Sequence, residues 1–294
     1  MAPTLYRGIR PGADNRARDW AEIQERMLVP LYETVYDRVG IGPHTRLLGL
    51  GCGTGLALLL ASRRGAAVTG LDSDESRLAV ARDRLLPDGA SDGGGPRVRR
   101  PRARLGGLQD RPIGDDFDVI TALDPVAPAE EVAPALAATA AAAAPGSTVV
   151  LTGWGPPERC ATARVLRLAA RLAEPRGPRP PGARLGGRDV GARGDGGDDR
   201  DARDGRDDPA ALEHLARDAG LRPDGTGQVS CPFGYPDLPS AVRGLLSTRL
   251  FDAAIDATDR DQVDKEITEA LHPYRRPNGT VRMDNVFRYL VARV

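Results

Sequence analysis

The chain has 294 residues with 41 basic and 41 acidic side chains, so a formal net charge of zero gives no global field for nucleic acid, an anionic membrane surface or acidic ligands. Lys265 is the single lysine, and 35 glycines and 25 prolines accompany it, a bias toward residues with GC-rich codons that discounts Arg-rich tracts as binding signals. Cys52, Cys160 and Cys231 are widely separated, with no CxxC pair and no paired His/Cys spacing, which argues against a disulfide scaffold and a structural metal.

The opening stretch, MAPTLYRGIRPGADNRARDW, lacks the apolar segment of a secretory signal, and no run of about 18 apolar residues occurs, so a cytoplasmic protein with no membrane partner is expected. Residues 18–39 place Trp20, Ile23, Met27, Leu31, Val35 and Val39 three or four apart, which predicts an amphipathic helix broken near Pro30 and a helical cap over residues 1–40. From Thr45 the pattern changes. TRLLGL, AAVTGLD, FDVITALD and STVVLTGW read as buried parallel strands, with GLALLLASRRG, ESRLAVARDRLL and AEEVAPALAATAAAAA as helices between them. Strand and helix alternating in this way predict a doubly wound α/β core over residues 41–174, with a further strand somewhere near Val98 to Leu105.

Residues 175–208 are a Pro, Gly, Arg and Asp tract; eight Arg and eight Asp between Arg176 and Asp208 balance each other, and the poverty of large apolar groups predicts a solvated linker. Asp208 and Pro209 then read as an N-cap and first helical residue, with Leu212, Leu215 and Ala219 on one face until Gly220. A helix through LPSAVRGLLSTRL and one or two closing strands in TVRMDNVFRYLVARV complete residues 209–294 as additions to the same sheet.

The segment LLGLGCGTG, Leu47–Gly55, puts glycines at 49, 51, 53 and 55 after a strand and before a helix. Its backbone can approach a ligand while the helix N-terminus presents unpaired N–H groups. The dinucleotide fingerprint GxGxxG fails in every register, because Thr54, Leu56 and Leu58 stand where its last glycine belongs, and no GK[ST] makes a phosphate loop. A nicotinamide-dependent oxidoreductase is disfavoured on that ground. Asp72 ends the second strand, where a carboxylate beside a glycine loop can accept from both ribose hydroxyls; alternatively it caps the helix starting near Ser73, and the two roles are compatible.

LLGLGCGTGLALLLA, VTGLDSDESRLAVAR and FDVITALD resemble successive motifs of class I S-adenosylmethionine-dependent methyltransferases. DWAEIQE, TGWGPPERC, CPFGYPDLPSAVRGLL and FRYLVAR extend the resemblance to small-molecule methyltransferases common in actinobacteria. The resemblance implies a Rossmann-like seven-stranded sheet with the last strand antiparallel, and S-adenosylmethionine lying across the C-terminal ends of its first strands. It implies that Gly51, Cys52, Gly53, Thr54 and Gly55 wrap the methionine and ribose part of this donor, that Asp72 holds the ribose, and that Ser73 sits beside the adenine. It also implies that the Leu108 backbone meets the adenine, with Asp110 close by, and that Asp124 lines the donor and acceptor cavity. Two positions where the family carries an acid are glycine here, Gly49 and Gly107. A buried charge-assisted hydrogen bond is worth about 1.5–3 kcal/mol, so losing both weakens donor binding unless neighbours compensate.

Methyl transfer needs alignment above all, and a general base only for a protonated acceptor. His272, Tyr235 and Asp124 are the candidates for that role, with Glu158 comparable; His44 precedes the first strand and His214 lies off its helix's apolar face. Trp20 and Trp154 either shape an aromatic acceptor pocket or pack, and Cys52 reads as a small packing residue. The glycine loop, Asp72 and the resemblance together imply methyl transfer to a small-molecule acceptor, a specialised metabolite, by a monomer or homodimer. The alternative is a non-catalytic methyltransferase-like partner or regulator with a degraded donor site. No NPPY-type tetrapeptide points to nucleic acid.

Overall fold

A computed structural model describes residues 13–86, 103–107, 117–127, 129–173 and 210–294. The linker tract, the Asp208–Pro209 signal and Leu108 lie outside the described residues.

The N-terminal stripe is helical but not one helix. Helix α1 (Ala13–Asp19) runs into a widened π turn (Trp20–Gln24) and a 3-10 turn (Glu25–Leu28) before α2 (Val29–Val39), so the break precedes Pro30, which falls in the first turn of α2 where its missing N–H is harmless. Trp20, Ile23, Leu31 and Val35 are buried as the spacing predicts. The irregular turns also bring Gln24 and Glu25 inward, to 0% and 2% exposure, which the apolar stripe does not foreshadow.

Strands β1 (Arg46–Leu50), β2 (Ala67–Asp72), β3 (Ala103–Gly107), β4 (Val119–Ala122) and β5 (Thr148–Trp154) are parallel, and α3 (Leu56–Arg63), α4 (Glu75–Leu85) and α5 (Ala129–Ala142) lie between them in the chain. The third strand, expected near Val98 to Leu105, is described over Ala103–Gly107. After α6 (Ala161–Ala173) and α7 (Ala211–Asp218) comes β6 (Arg222–Ser230), a strand that RPDGTGQVS does not announce because glycine, proline and exposed polar residues fill it. Strand β7 (Phe233–Tyr235), helices α8 (Leu238–Leu246), α9 (Asp252–Ala257) and α10 (Arg260–Leu271), then β8 (Val281–Met283) and β9 (Val286–Arg293) complete the chain.

The seven-stranded sheet has the order β3-β2-β1-β4-β5-β9-β6, and β9, the last strand, pairs antiparallel with both β5 and β6. This is the Rossmann-like doubly wound architecture anticipated from the sequence. One closing strand departs from expectation: β8 joins β7 in a separate two-stranded ribbon instead of extending the sheet. Phe233 and Met283 face each other in that ribbon and are both buried, so its inner side packs as core and does not need the main sheet.

The apolar contact between α3 and the sheet depends on paired glycines. Gly49 and Gly70 are register partners on β1 and β2, and the Leu58 side chain lies over both. A Cβ at Gly70 would press against Leu58 and lie 2.8 Å from both Cys52 Sγ and Leu105 Cδ2. Overpacking of this kind costs about 1–3 kcal/mol, so chemical denaturation of Gly70→Ala should show a midpoint lowered accordingly with the slope unchanged; an unaltered midpoint would contradict the packing described.

Candidate functional site

The carboxyl ends of β1, β2 and β4 meet beneath the glycine loop, at the reversal of strand order where open α/β sheets bind ligands. Gly51, Gly53 and Gly55 have φ of 61°, 57° and 80°, a left-handed run that side-chain-bearing residues adopt only under strain. Gly55 also lets α3 approach α4, since a Cβ there would lie 2.9 Å from Ala81 Cβ.

Asp72, at the end of β2, fixes this loop. Its Oδ2 accepts from Gly53 N–H at 2.7 Å and its Oδ1 from Asp74 N–H at 2.8 Å. The carboxylate is only 5% exposed, and burial raises its pKa despite those hydrogen bonds and nearby Arg77. Each oxygen retains acceptor capacity for a further hydroxyl. Asp72 does not cap the following helix: Asp74 does, accepting from Ser76 N–H and Arg77 N–H, and α4 begins at Glu75. Ser73 is exposed between them, and register pairs Asp72 with Gly107 on β3.

The N-terminal turns close over the loop. Glu25 Oε2 accepts from Thr54 Oγ1 and from Arg84 Nη1, each at 2.5 Å, and Arg84 also donates to Thr54 O at 2.9 Å and Ala21 O at 3.2 Å. Burial raises the Glu25 pKa, opposed by Arg84, by the Thr54 hydroxyl and by Leu56 N–H. Trp20 lies beside Gly53, and the Arg77 guanidinium sits over the indole at 4.6 Å. Arg77 Nη1 also reaches Asp124 Oδ2 at 3.2 Å, and Asp124 Oδ1 accepts from Val126 N–H and Ala127 N–H in the turn after β4.

These contacts divide the site in two. A cavity of about 20 Å³ remains among Trp20, Glu25, Gly49, Gly51, Gly53 and Asp124. A cleft of about 980 Å³ opens on the other side, bordered by Ser73, Asp74, Arg77, Ser247 and Asp252. The Arg77 side chain lies between them, lining the cleft while touching Trp20 and Asp124 of the cavity.

The other candidates are dispersed. Tyr235 is buried and donates to Gln24 Oε1 at 2.8 Å, and burial raises its phenol, so it stays protonated as a packing group. His272 is exposed at the end of α10, Glu158 is exposed after β5, and neither lines the cavity or the cleft. His44 and His214 are exposed too. Trp154 packs with Phe287 and Phe233, its ring centroid 4.7 Å and 6.4 Å from theirs. Burial raises the Cys52 thiol, which leaves it no thiolate character at neutral pH. Sequence reasoning missed Glu25, Arg77 and Arg84: charged residues on amphipathic helices read as solvated, and only the assembled fold turns them inward.

The missing acid at Gly49 has a structural counterpart. A Cβ there would lie 3.0 Å from Leu58 Cδ2 and 3.6 Å from Cys52 Cβ, so apolar groups already border the space an aspartate would need.

Residues 48–151 match the profile of a methyltransferase domain family. Over 106 residues the chain is 35% identical to Methyltransferase GfsG of Streptomyces halstedii, covering 35% of this chain and 34% of that protein. Over 118 residues it is 33% identical to the ubiquinone biosynthesis O-methyltransferase of Hahella chejuensis, covering 40% and 47%. The aligned part thus spans about a third and about a half of these relatives' lengths. Among solved structures, a putative methyltransferase from Bacillus halodurans superposes with a TM-score of 0.50 at 13% identity, covering 89% of this chain and 97% of that one. A putative sarcosine dimethylglycine methyltransferase from Galdieria sulphuraria gives 0.50 at 10% identity, with 96% and 98% covered.

Two outcomes follow from the geometry. In a carboxyl titration by NMR, Asp72 and Glu25 should titrate above the ordinary values of 3.8 and 4.5, whereas Asp118, bonded to Arg46, should titrate below 3.8. Because the folded state holds the Asp72 and Glu25 protons more tightly than the unfolded chain, their contribution to stability is complete below the unfolded value and falls as pH rises through the folded one. Gly49→Asp should lower stability by about 1–3 kcal/mol, because Leu58 must move and a carboxylate enters apolar surroundings; a stabilised variant would show the position to be vacant rather than filled.

Proposed function

We propose that this chain transfers a methyl group from S-adenosylmethionine to a small-molecule acceptor, because residues 48–151 match the profile of a methyltransferase domain family and the Rossmann-like fold is one that solved methyltransferases share. The observation that carries the reading is the Asp72 carboxylate, held at the strand end by Gly53 N–H and Asp74 N–H beside three left-handed glycines.

The polar groups fit such a donor. Asp72 has acceptor sites left for ribose hydroxyls, the glycine turn admits close backbone approach, and Ser73 borders the wide cleft on the side implied for the adenine. The volume on the methionine side does not yet fit, since ligand pockets of this class measure roughly 300–1,000 Å³. Binding therefore requires Arg77, the side chain that separates cavity from cleft, to yield. The sulfonium donor supplies an already activated methyl group. What the chain's residues provide is alignment and exclusion of water, with Trp20 and the Glu25 network against the loop and Asp124 lining the cavity. No residue is assigned as general base. The acceptor is read as a specialised metabolite and the setting as cytoplasmic; among the described residues no helix is long and apolar enough to cross a membrane.

Calorimetric titration with S-adenosylhomocysteine tests the reading: saturable binding is expected, weakened about tenfold or more in Asp72→Ala, as loss of hydrogen bonds to a charged group implies. Absence of binding at millimolar ligand would overturn it.

A further inference from the structure

Two polar groups of the N-terminal turns face the glycine loop side by side. From the position a Cβ would occupy at Gly53, Trp20 Nε1 and Glu25 Oε1 each lie 3.5 Å away. Trp20 is 1% exposed, and its indole N–H has no hydrogen-bond partner among the described residues. A buried N–H without an acceptor costs free energy, and such groups are uncommon unless something else completes them. Its ring cannot turn freely, because Arg77 stacks on its face. Glu25 is 2% exposed; Oε2 is taken by Thr54 and Arg84, whereas among the described residues Oε1 has only the long 3.4 Å contact with Leu56 N–H. The loop thus faces one orphaned donor and one under-used anionic acceptor.

A ligand group carrying an anion and a cation on neighbouring atoms satisfies both. The α-amino acid end of the proposed methyl donor is such a group, and the acid expected for it on β1 is absent at Gly49. Resting on the function proposed above, we infer that the recognition of this zwitterionic end has moved to the N-terminal turns: Trp20 Nε1–H binds the carboxylate and Glu25 binds the ammonium. The relocation accounts for Leu58 filling the space beside Gly49 and for a glutamate buried between the cap and the loop. Burial that raises the Glu25 pKa is relieved by a bound ammonium, so the ligand also stabilises the ionised carboxylate. The π turn that begins at Trp20 supplies the orientation, bringing the indole and the Glu25 carboxylate to the same side of the loop.

The test compares S-adenosylhomocysteine with its analogue lacking the α-amino group and its analogue lacking the carboxylate, by calorimetry, in the wild-type protein and in Glu25→Gln, Glu25→Asp and Trp20→Phe. Wild type should prefer the parent over the desamino analogue by about tenfold or more, as expected for a hydrogen bond between charged groups. Glu25→Gln should collapse that preference to within about threefold while leaving discrimination against the decarboxylated analogue in place. Trp20→Phe should do the converse. Glu25→Asp, which keeps a charge for Arg84, should retain folding and show an intermediate preference. In a Trp154→Phe background, where Trp20 is the only fluorophore of its kind, ligand should shift the indole emission. Wild-type protein that binds the parent and desamino compounds equally, or Glu25→Gln that folds and keeps the full preference, overturns the inference. Wild-type protein that binds none of them overturns the proposed function instead.

Discussion

The Asp72 carboxylate is the point on which the site is organised. By accepting Gly53 N–H with one oxygen and Asp74 N–H with the other, it ties the turn after β1 to the turn after β2. The ladder between β1 and β2 continues into the loop through Cys52 N–H and Leu71 O, and the Asp72 cross-tie holds the turns that lie beyond it. Here the tie is a buried acid whose desolvation is offset only in part by two backbone donors. Glycine at 51, 53 and 55 makes the geometry possible, because the left-handed turn puts the Gly53 amide where the carboxylate can reach it.

A second layer of charge rests on the first. Glu25, Thr54 and Arg84 connect the N-terminal turns, the glycine loop and the end of α4, while Arg77 links Trp20 to Asp124. Both arginines come from α4, seven residues apart, and therefore project from a similar side of the helix toward the cap. Buried ion pairs of this kind contribute little net stability compared with apolar packing, because desolvation consumes most of the attraction. Their consequence is positional: they hold the Trp20 indole and the Glu25 carboxylate against the glycine loop.

Gly49 and Gly107, the two positions where the resemblance implies an acid, stand in different settings. At Gly49 a side chain would press on Leu58 Cδ2 and meet Cys52 Cβ, so its first atoms would enter apolar surroundings at the edge of the small cavity. Gly107 lies beside Asp72 in register, at the last described residue of its strand. An absent acid in a motif is therefore not in itself a sign of decay; what matters is whether its space has been filled and whether its charge reappears nearby.

The sequence by itself determined the order of strands and helices in the core, the glycine loop and the paired position of Asp72. These features are local: periodicity, left-handed glycines and strand-end spacing are properties of adjacent residues. Strand β7, the pairing of β8 with it and the exposed strand β6 were not legible, since short or polar strands carry no alternation that distinguishes them from loops or fixes their partner. Nor did local pattern identify Asp74, two residues after Asp72, as the cap. The inward positions of Glu25, Arg77 and Arg84 were decided only by tertiary structure. A charged residue on an amphipathic helix reads as solvated until another element covers it, and the irregular turns at Trp20 to Leu28 changed which residues face inward. Periodicity records where a chain is apolar, whereas the assembled fold decides which charges must find partners out of water.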